Sequence, residues 1–125
     1  MQTKLTTKVA AIGEEIGLEL GTQMVKGYQQ ANPSDVHSYL IGRNIIEQIL
    51  AQPGCVGIQF YNAYNEDGHK TLVYVGVDGN GKSVFEYQVV NATGQLDVIK
   101  GIVADRVRIP TTKPALDDEE MWSFD

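Results

Sequence analysis

The sequence has few residues suited to disulfide, metal or thiol chemistry: one cysteine and two histidines among 125 residues. Cys55 alone cannot form an internal disulfide, and a zinc site needs three or four soft or imidazole ligands. No apolar run approaches the ~20 residues that span a bilayer, and residues 1–17 contain no apolar signal-peptide core. These absences predict a soluble, cytoplasmic protein that needs no metal or other cofactor and does not bind a membrane.

Basic residues are also scarce. Ten lysines and arginines face sixteen aspartates and glutamates, for a net charge of −6. Five of the acids lie within residues 117–125, which contain no base, so the rest of the chain is nearly neutral. An acidic tail on a nearly neutral body offers no general attraction to phosphate backbones, which disfavours nucleic-acid binding.

The amino-terminal half has the periodicity of amphipathic helices. Six apolar residues recur at three- and four-residue steps and predict a helix over residues 8–29 with one buried side: Val9, Ile12, Ile16, Leu20, Met24 and Tyr28. Gly13, Gly17 and Gly21 form a stripe in the same window. The stripe could admit another backbone, from the same chain or a second copy, or could simply be tolerated against a sheet.

A second helical region is predicted from Pro33 to about Ala51, with a break near Gly42. Proline suits the first turn of a helix, and the polar side chains that follow it can accept exposed backbone N–H groups. Gln52, Pro53 and Gly54 then end the helix.

The carboxy-terminal half reads as strands. Residues 56–64, 70–77 and 83–90 are rich in valine, tyrosine and phenylalanine, and short glycine-containing turns separate them. Residues 98–109 predict a fourth strand. One face of the middle strand is expected to face the core: Thr71, Val73, Val75 and Val77. No internal repeat is apparent.

These elements predict a two-layer α+β fold, in which the amino-terminal helices pack on an antiparallel β-meander of about four strands. We expect one domain over residues 1–114, followed by an acidic and aromatic tail over residues 115–125. An edge strand or an open sheet face would permit a homodimer.

The segment Gly76–Ser83, GVDGNGKS, matches the phosphate-loop pattern G-x-x-x-x-G-K-[ST]. A phosphate loop needs a strand before its glycines and a helix after its Lys-Ser, because the helix N-terminus cradles the phosphates. Residues 84–90, VFEYQVV, instead alternate like a strand. We therefore interpret the segment as a hairpin turn and its match to a nucleotide-binding motif as coincidental.

Tyrosine and asparagine residues gather near the end of the first predicted strand: Tyr61, Asn62, Tyr64 and Asn65, with Tyr74 and Tyr87 on the neighbouring strands. If they face outward together, they form a recognition surface. Alternatively, the rings pack beneath the helices with their hydroxyl groups at the edge. A pocket near Cys55, Tyr61 and Asn62 would make the protein a small-molecule-binding protein or an enzyme, although free cysteine is usually a buried hydrophobe.

The tail places Met121, Trp122 and Phe124 directly after four acidic residues. Such a segment could dock into an apolar groove with a basic rim on a partner protein. The alternatives are a frayed terminus and a Trp122 that folds back onto its own domain.

Two stretches, residues 23–33 and 45–82, resemble a family of short uncharacterised bacterial proteins. The shared features are an L-A-Q-P-G-C-x-G-I segment, an aromatic-Asn strand and T-L-V-x-V-G-V-D-x-x-G, and the resemblance covers about residues 20–110. It implies kinship and assigns no catalytic residues. Because no coherent catalytic constellation appears, the sequence favours a non-enzymatic protein-interaction or binding module over an enzyme.

Overall fold

The computed structural model describes residues 8–110 and 121–122. Its elements are a 3-10 helix at Val9–Ala11, helices α1 (Leu18–Ala31) and α2 (Arg43–Leu50), and strands β1 (Gly57–Tyr64), β2 (Lys70–Val77), β3 (Glu86–Val90), β4 (Leu96–Lys100) and β5 (Val103–Ala104). The α+β class with antiparallel sheets is confirmed. Within the described residues, no helix is long and apolar enough to cross a membrane.

The chain divides into two compact units. Unit 1 comprises Met1–Ile12 and Ile41–Arg106, and unit 2 comprises Gly13–Leu40 and Val107–Asp125. Unit 1 contains α2 and all five strands, whereas unit 2 contains α1. The predicted boundary between domain and tail at residue 115 lies outside the described residues.

Strand β2 is the centre of unit 1. It pairs with β1 over eight residues, from Gly57 opposite Val77 to Tyr64 opposite Lys70, and with β5 on its other side. The face predicted to be buried is confirmed, because Thr71, Val75 and Val77 are buried and Val73 is half-buried. A strand with neighbours on both edges satisfies its backbone within the sheet, which allows both of its faces to be covered.

Helix α2 packs on the other face of β2. A Cβ built on Gly76 would lie 2.6 Å from Cys55 Sγ and 3.1 Å from Ile49 Cγ2. The missing side chain at Gly76 therefore lets the end of α2 approach the sheet, and Ile49 is completely buried there. The helix ends at Leu50, close to the expected Ala51, and Gln52, Pro53 and Gly54 follow it; the φ of +77° at Gly54 favours glycine.

Strands β3 and β4 form a separate two-stranded sheet, from Glu86 opposite Lys100 to Val90 opposite Leu96. The expected ladder between β2 and β3 stops after the Val77–Ser83 bridge. Beyond that bridge, the Phe85 carbonyl accepts a hydrogen bond from the Gly101 N–H at 2.8 Å. The chain thus changes partners at Phe85. The predicted fourth strand is divided into β4 and β5 around Gly101.

The helix predicted for residues 8–29 is shorter than expected. Helix α1 begins only at Leu18, because Gly13 and Gly17 adopt φ values of +119° and +85° that no helix allows. The region from Pro33 to Gly42 is also not helical. Leu40 instead exchanges two backbone hydrogen bonds with Arg108, at 2.8 and 2.9 Å.

Gln52 joins two parts of unit 1 and yields a stability prediction. Its buried Nε2 donates to the Ile49 carbonyl at 3.0 Å, and its Oε1 accepts from the Ile102 N–H at 2.8 Å. Gln52→Ala leaves the Ile102 N–H without this partner, so we expect the free energy of unfolding in urea to fall by ~1–3 kcal/mol. The exposed Gln48→Ala is the control, and an equal loss in both variants would contradict the assigned role.

Candidate interaction surfaces

Strand β1 forms an open edge of the main sheet. In the described part of the chain, it pairs with β2 alone. The Asn65 N–H donates to the His69 carbonyl at 2.8 Å, and hydrogen-bonded pairs alternate along an antiparallel ladder. The backbone groups of four residues therefore point to the open edge: Ile58, Phe60, Asn62 and Tyr64. The strand GIQFYNAY contains neither a charged residue nor proline, the usual protections of an edge.

The aromatic and amide side chains predicted to share a surface lie on two faces of β1. Tyr61 is opposite Val73, whereas Asn62 and Tyr64 lie on the other face, opposite Leu72 and Lys70. All three are exposed, Tyr64 at 74%. These residues are therefore exposed on both faces of β1 and do not form one continuous patch.

Tyr74 does not belong to this exposed surface. It is only 1% exposed, and its ring centroid lies 5.6 Å from that of Phe60. Its hydroxyl donates to the Asp105 carbonyl at 3.4 Å, and burial, followed by the nearby Asp105 charge, raises the pKa of Tyr74. The alternating pattern of β2 predicted that Tyr74 lies in a strand. That pattern could not reveal that both faces of β2 are covered.

Asn65 has a local structural role. Its side-chain oxygen accepts hydrogen bonds from the backbone N–H groups of Asp67 and His69, both at 2.9 Å. This arrangement fixes the turn between β1 and β2. Asn65 is half-buried, so its availability to a partner is smaller than that of Asn62.

The same turn occurs three times, at residues 65–69, 78–82 and 91–95. In each, the first side-chain oxygen accepts from the third and fifth N–H groups, and the fourth residue is a glycine with φ between +80° and +83°. The first residues, Asn65, Asp78 and Asn91, are spaced thirteen positions apart. This recurrence of a short turn was not predicted. Asn/Asp-x-x-Gly at this interval was the available signal.

The second of these turns explains the phosphate-loop match. Asp78 accepts the N–H groups of Lys82 and Asn80, which lower its pKa, and Gly81 provides the positive φ. The chain continues to the strand β3 rather than to a helix, so no helix N-terminus follows Lys82. The predicted turn is confirmed, and the arrangement lacks the geometry that a phosphate loop uses.

Cys55, Tyr61 and Asn62 do not converge on one pocket. Cys55 Sγ donates to the Gly57 carbonyl at 3.3 Å and lies against the backbone of Gly76, while Tyr61 and Asn62 point to opposite faces of β1. His69 lies at the far end of the β1–β2 hairpin from Cys55. In residues 8–110 and 121–122, no group of three acidic, histidine or cysteine side chains could hold a metal ion.

The Trp122 side chain folds back onto α1. Its Nε1 donates to the Thr22 hydroxyl at 3.0 Å, and its ring lies 3.9 Å from the position of a Cβ on Gly21. Even so, Trp122 is 51% exposed, and Met121 is half-buried. Phe124 and the acidic residues 117–120, which belong to the predicted tail surface, lie outside the described residues.

Helix α1 presents its apolar stripe to solvent. Leu20, Met24 and Tyr28 were expected to be buried but are all about half exposed, and so is Ile16. The covered side of α1 consists of smaller and more polar residues: Gly21, Thr22, Val25 and Gln29. Trp122 approaches that side because Gly21 leaves space for its ring. The sequence periodicity alone had predicted that the large apolar side chains would be buried.

Comparison of the chain with protein-family models, curated proteins and solved structures gives no match. The kinship suggested by the L-A-Q-P-G-C-x-G-I segment therefore stays a prediction. The candidate surfaces rest on the geometry of this chain alone.

The turn at Gly81 yields a second prediction. Gly81→Ala should lower the free energy of unfolding by ~1–2 kcal/mol, because a Cβ disfavours its φ of +80°. Gly79→Ala in the same turn is the control, since no atom lies within 4 Å of its Cβ position and its φ is not in the left-handed region. Chemical denaturation of both variants measures the difference, and similar losses would refute the role of φ.

An ion pair joins the first turn to the segment after β5 and predicts a pH effect. Arg106 Nη2 lies 2.8 Å from Glu66 Oε2, and the hydrogen bond from Arg106 lowers the pKa of Glu66 below 4.5. The stabilisation should therefore be present above pH 4.5 and be lost as pH falls through the folded-state pKa. The difference in unfolding free energy between wild type and Glu66→Gln should shrink in acid at low salt, because the pair is exposed. Asp67→Asn is the control, and a difference that is constant with pH would exclude the ion pair as its cause.

Proposed function

We propose that this protein is a non-enzymatic protein-interaction module that forms a homodimer by pairing β1 with β1 of a second copy. The open, uncharged edge of β1 is the observation that carries this proposal. Four residues direct their backbone N–H and C=O groups toward that edge, and antiparallel pairing would satisfy them.

Two-fold symmetry suits this strand. A two-fold axis perpendicular to the sheet aligns each face of one copy with the same face of the other. Even-numbered residues of one β1 strand therefore lie opposite even-numbered residues of the other. The two central registers place either Phe60 or Tyr61 opposite its own copy, and aromatic cross-strand pairs contribute about 0.2–1 kcal/mol each. Because β1 has no charged residue, neither register brings a charge against its own copy.

We also propose that the Trp122 segment contacts a protein partner. Its exposed half offers an aromatic surface of the kind that anchors interfaces. A cytoplasmic location is consistent with the single free cysteine, Cys55. The net charge of −6 supports a protein partner over nucleic acid.

Asn62 offers a direct test of pairing. Its N–H points to the open edge, so Asn62→Pro removes an edge donor while leaving the β1–β2 hydrogen bonds intact. We expect sedimentation equilibrium to show a dimer for the wild type and a weakening of dimerisation of at least about ten-fold for Asn62→Pro.

Asn62→Thr keeps the N–H and should keep the dimer, which makes it the matched control. Circular dichroism and urea unfolding establish that both variants fold. A wild type that is monomeric at high concentration would reject the homodimer, and an unchanged dimer in folded Asn62→Pro would reject β1 as its interface.

A further inference from the structure

Unit 2 carries an exposed apolar surface that is separate from β1, here named the α1 surface: Ile16, Leu20, Met24, Tyr28 and the exposed half of Trp122. The α1 members are about half exposed, with Met24 at 58%. Residues 20, 24 and 28 of α1 are spaced by four, which forms an i±4 ridge that packs against the groove of another helix, and Ile16 lies just before the helix begins at Leu18. The ring of Trp122 adjoins this ridge, because Ile16 Cδ1 and the Trp122 ring are both 3.9 Å from the Cβ position on Gly21.

The net negative charge of the chain comes from the same unit. By sequence, unit 1 contains seven acidic and seven basic residues, whereas unit 2 contains nine acidic and three basic ones. Unit 2 therefore carries the entire net charge of −6. Three of its acids, Glu14, Glu15 and Glu19, are exposed in the described segment that leads into and begins α1.

We propose that the α1 surface binds an amphipathic helix of another protein, one with apolar residues on one face and lysine or arginine beside it. The apolar ridge selects a helix, and the negative charge selects basic flanks, as in other helix-in-groove complexes. Nucleic acids and anionic membranes carry the same sign of charge as unit 2 and would be repelled. This inference rests on the proposed partner binding at Trp122 and goes beyond it by assigning the chemistry of the partner.

Trp122 supplies a local readout, because it is the only tryptophan in the chain. The probe is a peptide of about 18 residues, or five helical turns, built from leucine and lysine with an amphipathic helical period and without tryptophan. We expect its binding to shift Trp122 emission to shorter wavelength as the exposed half of the ring is covered. The same peptide with glutamate in place of lysine should not bind.

Met24→Ser tests the apolar ridge. Its side chain is largely exposed, so the variant should fold, and we expect peptide affinity to fall by at least about ten-fold. Leu96→Ser on β4 removes an apolar residue that is equally exposed but lies in unit 1, and it should leave the affinity unchanged.

A charge-matched pair of variants tests the acidic flank. Glu14→Gln/Glu15→Gln/Glu19→Gln should weaken binding and reduce its salt dependence. Glu47→Gln/Asp67→Asn/Glu86→Gln removes the same charge from unit 1 and should have little effect. Equal weakening by both triple variants would mean general charge attraction and would overturn the proposal.

The inference is also overturned if the lysine peptide does not shift Trp122 emission, or if it binds Met24→Ser as tightly as the wild type. Sedimentation of the same samples keeps this outcome distinct from the homodimer. A dimer without peptide binding rejects the α1 surface alone, and peptide binding by a monomer rejects only the β1 interface.

Discussion

The close approach of α2 to β2 is the contact on which unit 1 depends. It is possible because Gly76 has no side chain where Ile49, Gln52 and Cys55 meet the sheet. A core of this density tolerates little added volume. The contact buries Ile49 and holds Gln52 where its side chain reaches the Ile102 N–H. The glycine at position 76 therefore influences where α2, Cys55 and the connection between β4 and β5 lie. Cys55 is therefore part of this packing, and its contact with Gly76 explains why a small side chain stands at this position.

Three copies of one turn direct the strands of unit 1. Each uses an asparagine or aspartate oxygen to hold two N–H groups and a glycine to supply a positive φ. The middle copy contains Gly81 and Lys82 and is followed by Ser83, which together give the letters of a nucleotide-binding motif. Identical turn chemistry does not guarantee identical pairing, because after the middle turn the chain pairs with β2 only at the Val77–Ser83 bridge, and β3 then pairs with β4.

The two surfaces proposed for binding share one physical property: each exposes groups that a partner can contact. On β1 these are backbone hydrogen-bonding groups at an edge without charge or proline. On α1 they are large apolar side chains beside an excess of negative charge. An edge and an amphipathic ridge impose different geometry on a partner, which is why we assign β1 to a second copy and α1 to a basic helix.

Local chemistry was sufficient to predict several elements from the sequence. The turns at Asn65 and Asp78, the end of α2 near Pro53 and the inward face of β2 follow from φ preferences and alternation over a few residues. The sequence also contains the even spacing of Asn65, Asp78 and Asn91. Only the repeated hydrogen bonds show that this spacing marks three copies of one turn. The aromatic and amide residues of β1 could be named from the sequence, but their distribution over two faces required the register.

The tertiary structure decided what depends on distant partners. Periodicity assigned Leu20, Met24 and Tyr28 to a buried side, yet Trp122, a hundred residues beyond Thr22, covers the small-residue side of α1 instead. Tyr74 is buried on the face of β2 that it shares with Gly76 and that α2 covers, and β3 leaves β2 where the Gly101 N–H bonds to the Phe85 carbonyl. The sequence by itself determined turns and strands, since these follow from local backbone preferences. Only the tertiary structure decided burial and strand partners, because those depend on contacts between segments far apart in the chain.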